Sequence, residues 1–239
     1  MPTAIESATV LTDELAPLNA GERLGLLYER WSGQMAVSTS FGIQSAVMLD
    51  LVARHVPDIP VVFIDTGYLF PETYRYAEDL VERFGTDLRV YQPKLSAARL
   101  EALHGKLWEE GSEGLEHYSM LTKVEPMDRA LRELGSNIWL SGVRRSHSAT
   151  RADRTFAEQQ KRTLKVYPIL DWADAQVSAY MHERKLPTHP LAEQGYVTMG
   201  DWHSTKPATE GLDAESTRFN GEKYECGLHL DSGDNDFQI

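Results

Sequence analysis

Met35-Ala36-Val37-Ser38-Thr39-Ser40-Phe41-Gly42-Ile43-Gln44-Ser45 is the stretch that decides the fold of this chain. Three apolar residues give way to hydroxyls and a glycine, and Ala46, Val47, Leu49 and Val52 then follow at helical spacing. Strand, short polar turn and helix is the unit from which parallel sheets are built. Outward from it, Pro60-Val61-Val62-Phe63-Ile64 is the clearest buried strand, short and β-branched and stopped by Asp65-Thr66-Gly67. Leu24, Leu27, Tyr28 and Trp31 mark an amphipathic helix upstream. Tyr74, Ala77, Leu80, Val81 and Phe84 mark another, begun by Pro71-Glu72. Further strands are read at Leu88–Tyr91, Asn137–Leu140 and Leu164–Tyr167, and helices over 95–103, 124–134 and 173–184. Strands separated by single helices predict an α/β fold, a mainly parallel sheet with helices on both faces.

The chain has 239 residues, 41% of them hydrophobic and 25% charged, enough for a proper core. Residues 1–205 are read as one α/β domain. Residues 206–239 hold three basic residues (Lys206, Arg218, Lys223) against eight acidic ones and show almost no apolar periodicity. They are read as a mobile C-terminal tail rather than a second domain. Formal charge is −12, which argues against general nucleic-acid binding. A single cysteine, Cys226, excludes an intrachain disulfide and a multi-cysteine zinc or iron–sulfur site within one chain. The first residues lack a basic, apolar leader pattern and no stretch approaches a membrane span, so a cytoplasmic location and no membrane partner are expected.

Ligands of open parallel sheets bind beyond the carboxyl ends of the strands. Ser38–Ser45 lies there, with hydroxyls and backbone N–H groups at a helix N-terminus, an arrangement that suits an anion. A Ser-rich turn with an N-cap is the commoner meaning of such a stretch taken locally. It is neither a Walker A loop nor a G-x-G-x-x-G fingerprint. Between residues 144 and 165 stand seven Lys/Arg (Arg144, Arg145, Arg151, Arg154, Lys161, Arg162, Lys165) and two acids, a basic island in an acidic chain. Arginine forks suit phosphate. The expectation is that Arg144 and Arg151 face a cleft, so that truncating them costs affinity and leaves folding nearly unchanged. Cys226 sits among Glu, Gly and polar residues and is expected to be an accessible thiol, with His229 close enough in sequence to influence its ionisation.

Glu225-Cys226-Gly227-Leu228-His229, carrying the only cysteine, resembles the signature of phosphoadenylyl-sulfate (PAPS) reductases. The resemblance extends through Ser38–Val47, Ile64–Thr73, Lys123-Val124-Glu125-Pro126, Ser141–Arg145 with Ser148 and Arg151, Gly195-Tyr196 and Gly200–Ser204, covering roughly residues 20–230. It implies an adenine-nucleotide α-hydrolase-like fold, related to ATP pyrophosphatases. Those carry S-G-G-x-D-S in the phosphate loop; here Phe41 replaces a glycine and Gln44 the aspartate, which implies anion binding without ATP cleavage. It also implies that Cys226 attacks the sulfate sulfur of PAPS, releasing adenosine 3′,5′-bisphosphate and leaving an S-sulfocysteine, and that reduced thioredoxin or glutaredoxin then releases sulfite. By the same resemblance Lys123, Arg144, Arg145, Arg151 and Arg218 hold phosphate and sulfate oxygens. Ser38, Ser40, Phe41, Gly42, Ser45, Asp65, Thr66 and Ser148 cradle the nucleotide, with His203 and His229 near the sulfate. No metal, cluster or flavin is implied, and a homodimer is. The rival readings are a cluster-free adenylyl-sulfate reductase, an ATP-using adenylyltransferase or pyrophosphatase of the same fold, and a nucleotide-binding thiol redox sensor.

Overall fold

The computed structural model describes residues 7–208 and Thr217. Six strands form one sheet in the order β3-β2-β1-β4-β6-β5: β1 (Met35–Thr39), β2 (Val61–Ile64), β3 (Leu88–Tyr91), β4 (Ile138–Ser141), β5 (Ala157–Gln159) and β6 (Leu164–Val166). All neighbours pair in parallel except β5, which runs antiparallel to β6 at the edge. Alternation along the strands divides the core. Met35, Val37, Val61 and Phe63 face one side, under α1 (Ala8–Leu15), α2 (Ala20–Trp31), α3 (Ser45–His55), α4 (Pro71–Phe84) and α8 (Asp174–Glu183). Ala36, Val62 and Trp139 face the other, against Met127, Ala130 and Leu131 of α7 (Glu125–Glu133). A third cluster of Tyr68, Leu100, Leu107 and Tyr118 joins α5 (Ala97–His104) to α6 (Gly111–Ser119). The parallel sheet with helices on both faces is as the sequence predicts.

Helix α1, strand β5, helix α6 and a π-helical turn go beyond the sequence reading. Helix α1 and strand β5 stabilise each other: Thr12 Oγ1 donates to the Ala157 carbonyl at 3.2 Å and accepts from the Ala157 N–H at 3.0 Å, so the helix covers an open sheet edge. Helix α6 contains Gly114, where a Cβ would lie 2.3 Å from the Leu107 carbonyl; the glycine permits a close approach rather than a turn. The helix read over 124–134 is preceded by a π-helical segment, Met120–Val124. Pro126 has no N–H for the Thr122 carbonyl, and the wider turn accommodates this.

Buried Arg23 ties the β6 side of the sheet to α2. Its fork meets Asp171 at 2.7 and 2.8 Å, and its guanidinium lies 4.0 Å from the centroid of Phe156. Thr217, within the segment assigned to the tail, is buried. Its Oγ1 is 3.0 Å from Thr198 Oγ1, and its carbonyl accepts from the Lys206 N–H at 3.0 Å. No helix among the described residues is long and apolar enough to cross a membrane.

Candidate anion-binding cleft

Strand β1 pairs with β2 on one side and β4 on the other, so the connections leaving β1 and β4 diverge. A crevice opens at such a switch point. Here it is a cleft of about 280 Å³ at the carboxyl ends of β1, β2 and β4. The loop after β1 forms its floor. Phe41 has φ +48°, the left-handed conformation that glycine adopts without strain. Its ring is fully buried and packs edge-on to Phe63 at 4.9 Å, which holds the strained turn in place. The Phe41 N–H donates to Thr39 Oγ1 at 3.1 Å. Ser38 Oγ accepts from Trp139 Nε1 at 2.7 Å. Helix α3 then begins with no side-chain cap on its first N–H groups. A Cβ on Gly142 in the loop after β4 would lie 2.8 Å from Met48 Cγ, so a larger residue there would force the Met48 side chain to shift.

One wall carries a buried ion pair. Lys123, on the π-helical turn, donates to Asp201 Oδ2 at 2.6 Å, and Thr66 Oγ1 donates to Asp201 Oδ1 at 2.5 Å. Asp201 is completely buried. Burial by itself raises a carboxyl, but the Lys123 charge and the hydrogen bonds from Lys123 and Thr66 outweigh it and bring Asp201 down to about 2. Leu69 bridges to Asp201, and the Trp202 N–H donates to the Tyr68 carbonyl at 2.8 Å, which fastens the 195–205 segment along the cleft. Behind the pair, His203 stacks on Trp108 at 3.9 Å, and its Nε2 is 3.1 Å from Tyr118 Oη. Burial, with the Asp201 charge added, pushes the Tyr118 hydroxyl far up, so it stays protonated.

The opposite wall is the loop after β4. Arg144 is buried; Nη1 donates to Asp174 Oδ1 at 2.6 Å and Nη2 to Gln44 Oε1 at 2.8 Å. Nη1 is also 3.2 Å from Ser146 Oγ and 3.4 Å from the Trp172 carbonyl. Arg151 and His147 line the same wall.

Ser38, Ser40, Gly42, Ser45, Thr66, Lys123, Arg144 and Arg151 all line the cleft, although they span more than a hundred residues of chain. Phe41, Asp65, Arg145, Ser148 and His203 do not. Phe41 acts through its backbone. Asp65 organises the loop after β2, accepting from the Gly67 N–H, Tyr74 Oη and Gln92 Nε2 at 2.9, 2.7 and 2.7 Å. Arg145 Nε donates to the Arg154 carbonyl at 2.9 Å. Ser148 Oγ is 2.8 Å from Thr150 Oγ1. Arg218, Cys226 and His229 lie outside the described residues.

The basic island is not one patch. Lys165 is fully buried on β6 with its ammonium 3.7 Å from the Trp139 ring centroid, and Arg154 pairs with Glu158 at 2.5 Å. Lys161 and Arg162 are exposed on the turn between β5 and β6. The hairpin sends consecutive cations to different surroundings. The expectation that Arg144 merely faces a cleft also needs correction, because its guanidinium links the loop after β4 to the Trp172–Asp174 segment and to Gln44. Sequence reasoning missed His147 and Asp201 as cleft residues, and it placed Gln44 in the loop without its Arg144 partner. Asp201 stands in the quoted Gly200–Ser204 motif, but nothing in sequence announces a partner 78 positions away.

Sheet order, switch-point cleft and modified phosphate loop place the chain in the adenine-nucleotide α-hydrolase-like class. Solved structures agree. A phosphoadenylyl-sulfate reductase from Candida auris, in a phosphate complex, superposes with TM-score 0.71 at 30% identity, over 86% of this chain and 100% of that one. An FMN adenylyltransferase from Candida glabrata reaches 0.61 at 16% identity, over 98% of this chain and 83% of that one, a likeness of fold alone. The family model of the phosphoadenosine phosphosulfate reductase domain matches residues 34–207. The phosphoadenosine 5′-phosphosulfate reductase of Xylella fastidiosa is 49% identical over 94% of this chain and 95% of its own length. That of Vibrio parahaemolyticus is 48% identical over 92% of this chain and 85% of its own. The chain belongs to the phosphoadenosine phosphosulfate reductase family.

Proposed function

We propose that this chain reduces 3′-phosphoadenylyl sulfate to sulfite and adenosine 3′,5′-bisphosphate, with Cys226 as nucleophile and reduced thioredoxin or glutaredoxin as electron donor. What carries the proposal is the cleft itself, where a helix N-terminus with no side-chain cap meets Lys123, Arg144 and Arg151 in a chain nearly half identical to curated reductases of this substrate.

The Cys226 thiolate attacks the sulfate sulfur, and the bond from that sulfur to the bridging phosphate oxygen breaks. Its electron pair leaves with the bisphosphate, and the sulfo group stays on Sγ. One thiolate of the donor then attacks Sγ and sulfite departs; the donor's second thiol displaces Cys226 and ends as a disulfide. Cations along the cleft balance the charge that gathers on the departing bisphosphate. Splitting the reduction into two displacements is covalent catalysis. An ordinary thiol is only a few per cent ionised at neutral pH, and His229 serves to raise that fraction. Arg218 adds a further anion contact. The reaction is cytoplasmic, needs no metal or flavin, and is carried out by a homodimer.

The test is a single turnover. Reduced protein mixed with PAPS and no donor is expected to release one bisphosphate per active site and to gain one SO₃ group on Cys226. Reduced thioredoxin then frees sulfite and restores the mass. Cys226→Ser abolishes both steps with bisphosphate binding near wild type, and His229→Ala slows the reaction without ending it. An adduct on any other residue, or sulfite from Cys226→Ser at wild-type rate, overturns the mechanism. Adenylyl sulfate turned over as efficiently as PAPS overturns the substrate assignment.

A further inference from the structure

The two loops that meet across the switch point are joined by a side-chain contact that fixes the direction of an amide. Gln44 closes the loop after β1 and lines the cleft, and it makes no capping bond to α3. Its Oε1 accepts from Arg144 Nη2 at 2.8 Å. A guanidinium has five N–H donors and no acceptor, so only the oxygen end of the amide can meet it. The Nε2 end, with its two donors, is therefore turned away from Arg144. Arg144 cannot swing off to release it, because Nη1 is held by Asp174, Ser146 and the Trp172 carbonyl and the side chain is buried.

We propose that Gln44 is a substrate-binding residue, whose Nε2 donates a hydrogen bond to a phosphate oxygen of the bound nucleotide in an orientation imposed by Arg144. This rests on the reading of the cleft as the nucleotide site. A carboxylate at position 44 would satisfy Arg144 equally well, but it would offer the cleft only lone pairs and a negative charge. The amide joins the two loops and still presents donors to an anion.

The competing account, in which Gln44 merely ties the loops together, makes the opposite prediction for paired variants. Binding of adenosine 3′,5′-bisphosphate is measured by calorimetry for wild type, Gln44→Glu and Gln44→Leu, with thermal unfolding of each. Gln44→Glu keeps the Arg144 link, so its melting temperature is expected at or above that of wild type, yet its Kd rises at least tenfold. Gln44→Leu loses the link and the donor without adding charge, and its Kd rises less. The reverse order, or Gln44→Glu within twofold of wild type, overturns the proposal. A readout on the unmutated protein covers a variant that does not fold. The Gln44 side-chain ¹⁵N–H₂ signals, assigned by truncating each other glutamine in turn, are expected to shift on saturation with the bisphosphate; unmoved signals overturn the proposal. Wild type that does not bind the bisphosphate at all overturns the nucleotide reading and this inference with it, whereas tight wild-type binding with an indifferent Gln44→Glu removes this inference alone.

Discussion

Two ion pairs flank the same cleft and are built differently. In Lys123–Asp201 both partners are buried, with side-chain exposures of 9% and 0%. In Arg144–Asp174 the arginine is buried at 4% but the carboxylate is 71% exposed. Removing either member of the first pair takes the opposite charge from a partner buried in the wall. Removing the aspartate of the second leaves Arg144 with Gln44, Ser146 and the Trp172 carbonyl, and water takes the place of the carboxylate. The first pair is thus a fixed part of the wall. The second is a strut that holds one loop along the cleft.

The largest effect expected from this contrast is on Asp201. Asp201→Ala takes away the buried carboxylate that Lys123 meets and is expected to cost about 3–5 kcal/mol of stability, read by denaturant unfolding. The pair Asp201→Asn with Lys123→Met should be markedly less harmful than Asp201→Ala alone, since no unpaired charge remains. Equal damage from both would show that the wall depends on packing rather than charge. The pH dependence has a definite sign. Asp201 is held at about 2 in the folded protein, whereas an unfolded aspartate titrates near ~3.9. Its stabilisation is complete above the unfolded value and is lost as pH falls through the folded one. The stability gap between wild type and Asp201→Asn should therefore be widest near neutrality and close between about pH 4 and 2.

Arg144→Ala comes next, and it should strike twice. Loss of charge-assisted hydrogen bonds is expected to weaken bisphosphate binding by about 1.5–3 kcal/mol and also to destabilise the fold by about 1–3 kcal/mol. Arg151→Ala should show the binding loss. An Arg144→Ala protein that melts like wild type would mean that the strut carries no strain in the resting fold. The smallest effect belongs to Asp174→Asn, because Asp174 is itself exposed to water and the pair is worth less than about 1 kcal/mol. A loss there as large as at Asp201 would erase the distinction between the two walls.

Much of this architecture was legible because short β-branched runs and helical spacing are local signals. Strands β1 to β4 and β6, and α2 to α5, α7 and α8, all follow from them. Helix α1 and β5 were not legible, since Ala157-Glu158-Gln159 has no strand character of its own and pairs only because β6 and Thr12 supply partners. Helix α6 was hidden by Gly111 and Gly114, residues that argue against a helix until Leu107 is seen packed on one of them. The cleft divides in the same manner. Serines after β1 and the lysine before Pro126 stand out in sequence, whereas Gln44 and Asp201 take their meaning from partners on other loops.

By itself the sequence determined the alternation of strand and helix, the polar turn at the end of β1, the surplus of cations after β4 and the single thiol at Cys226. These are properties of neighbouring residues and of counting. Tertiary structure alone decided which cations meet the cleft, that Lys123 is matched by Asp201, and that the Gln44 amide is turned by Arg144. Coulomb and hydrogen-bond energies depend on distance, burial and angle, and those are set only once β1 and β4 lie side by side.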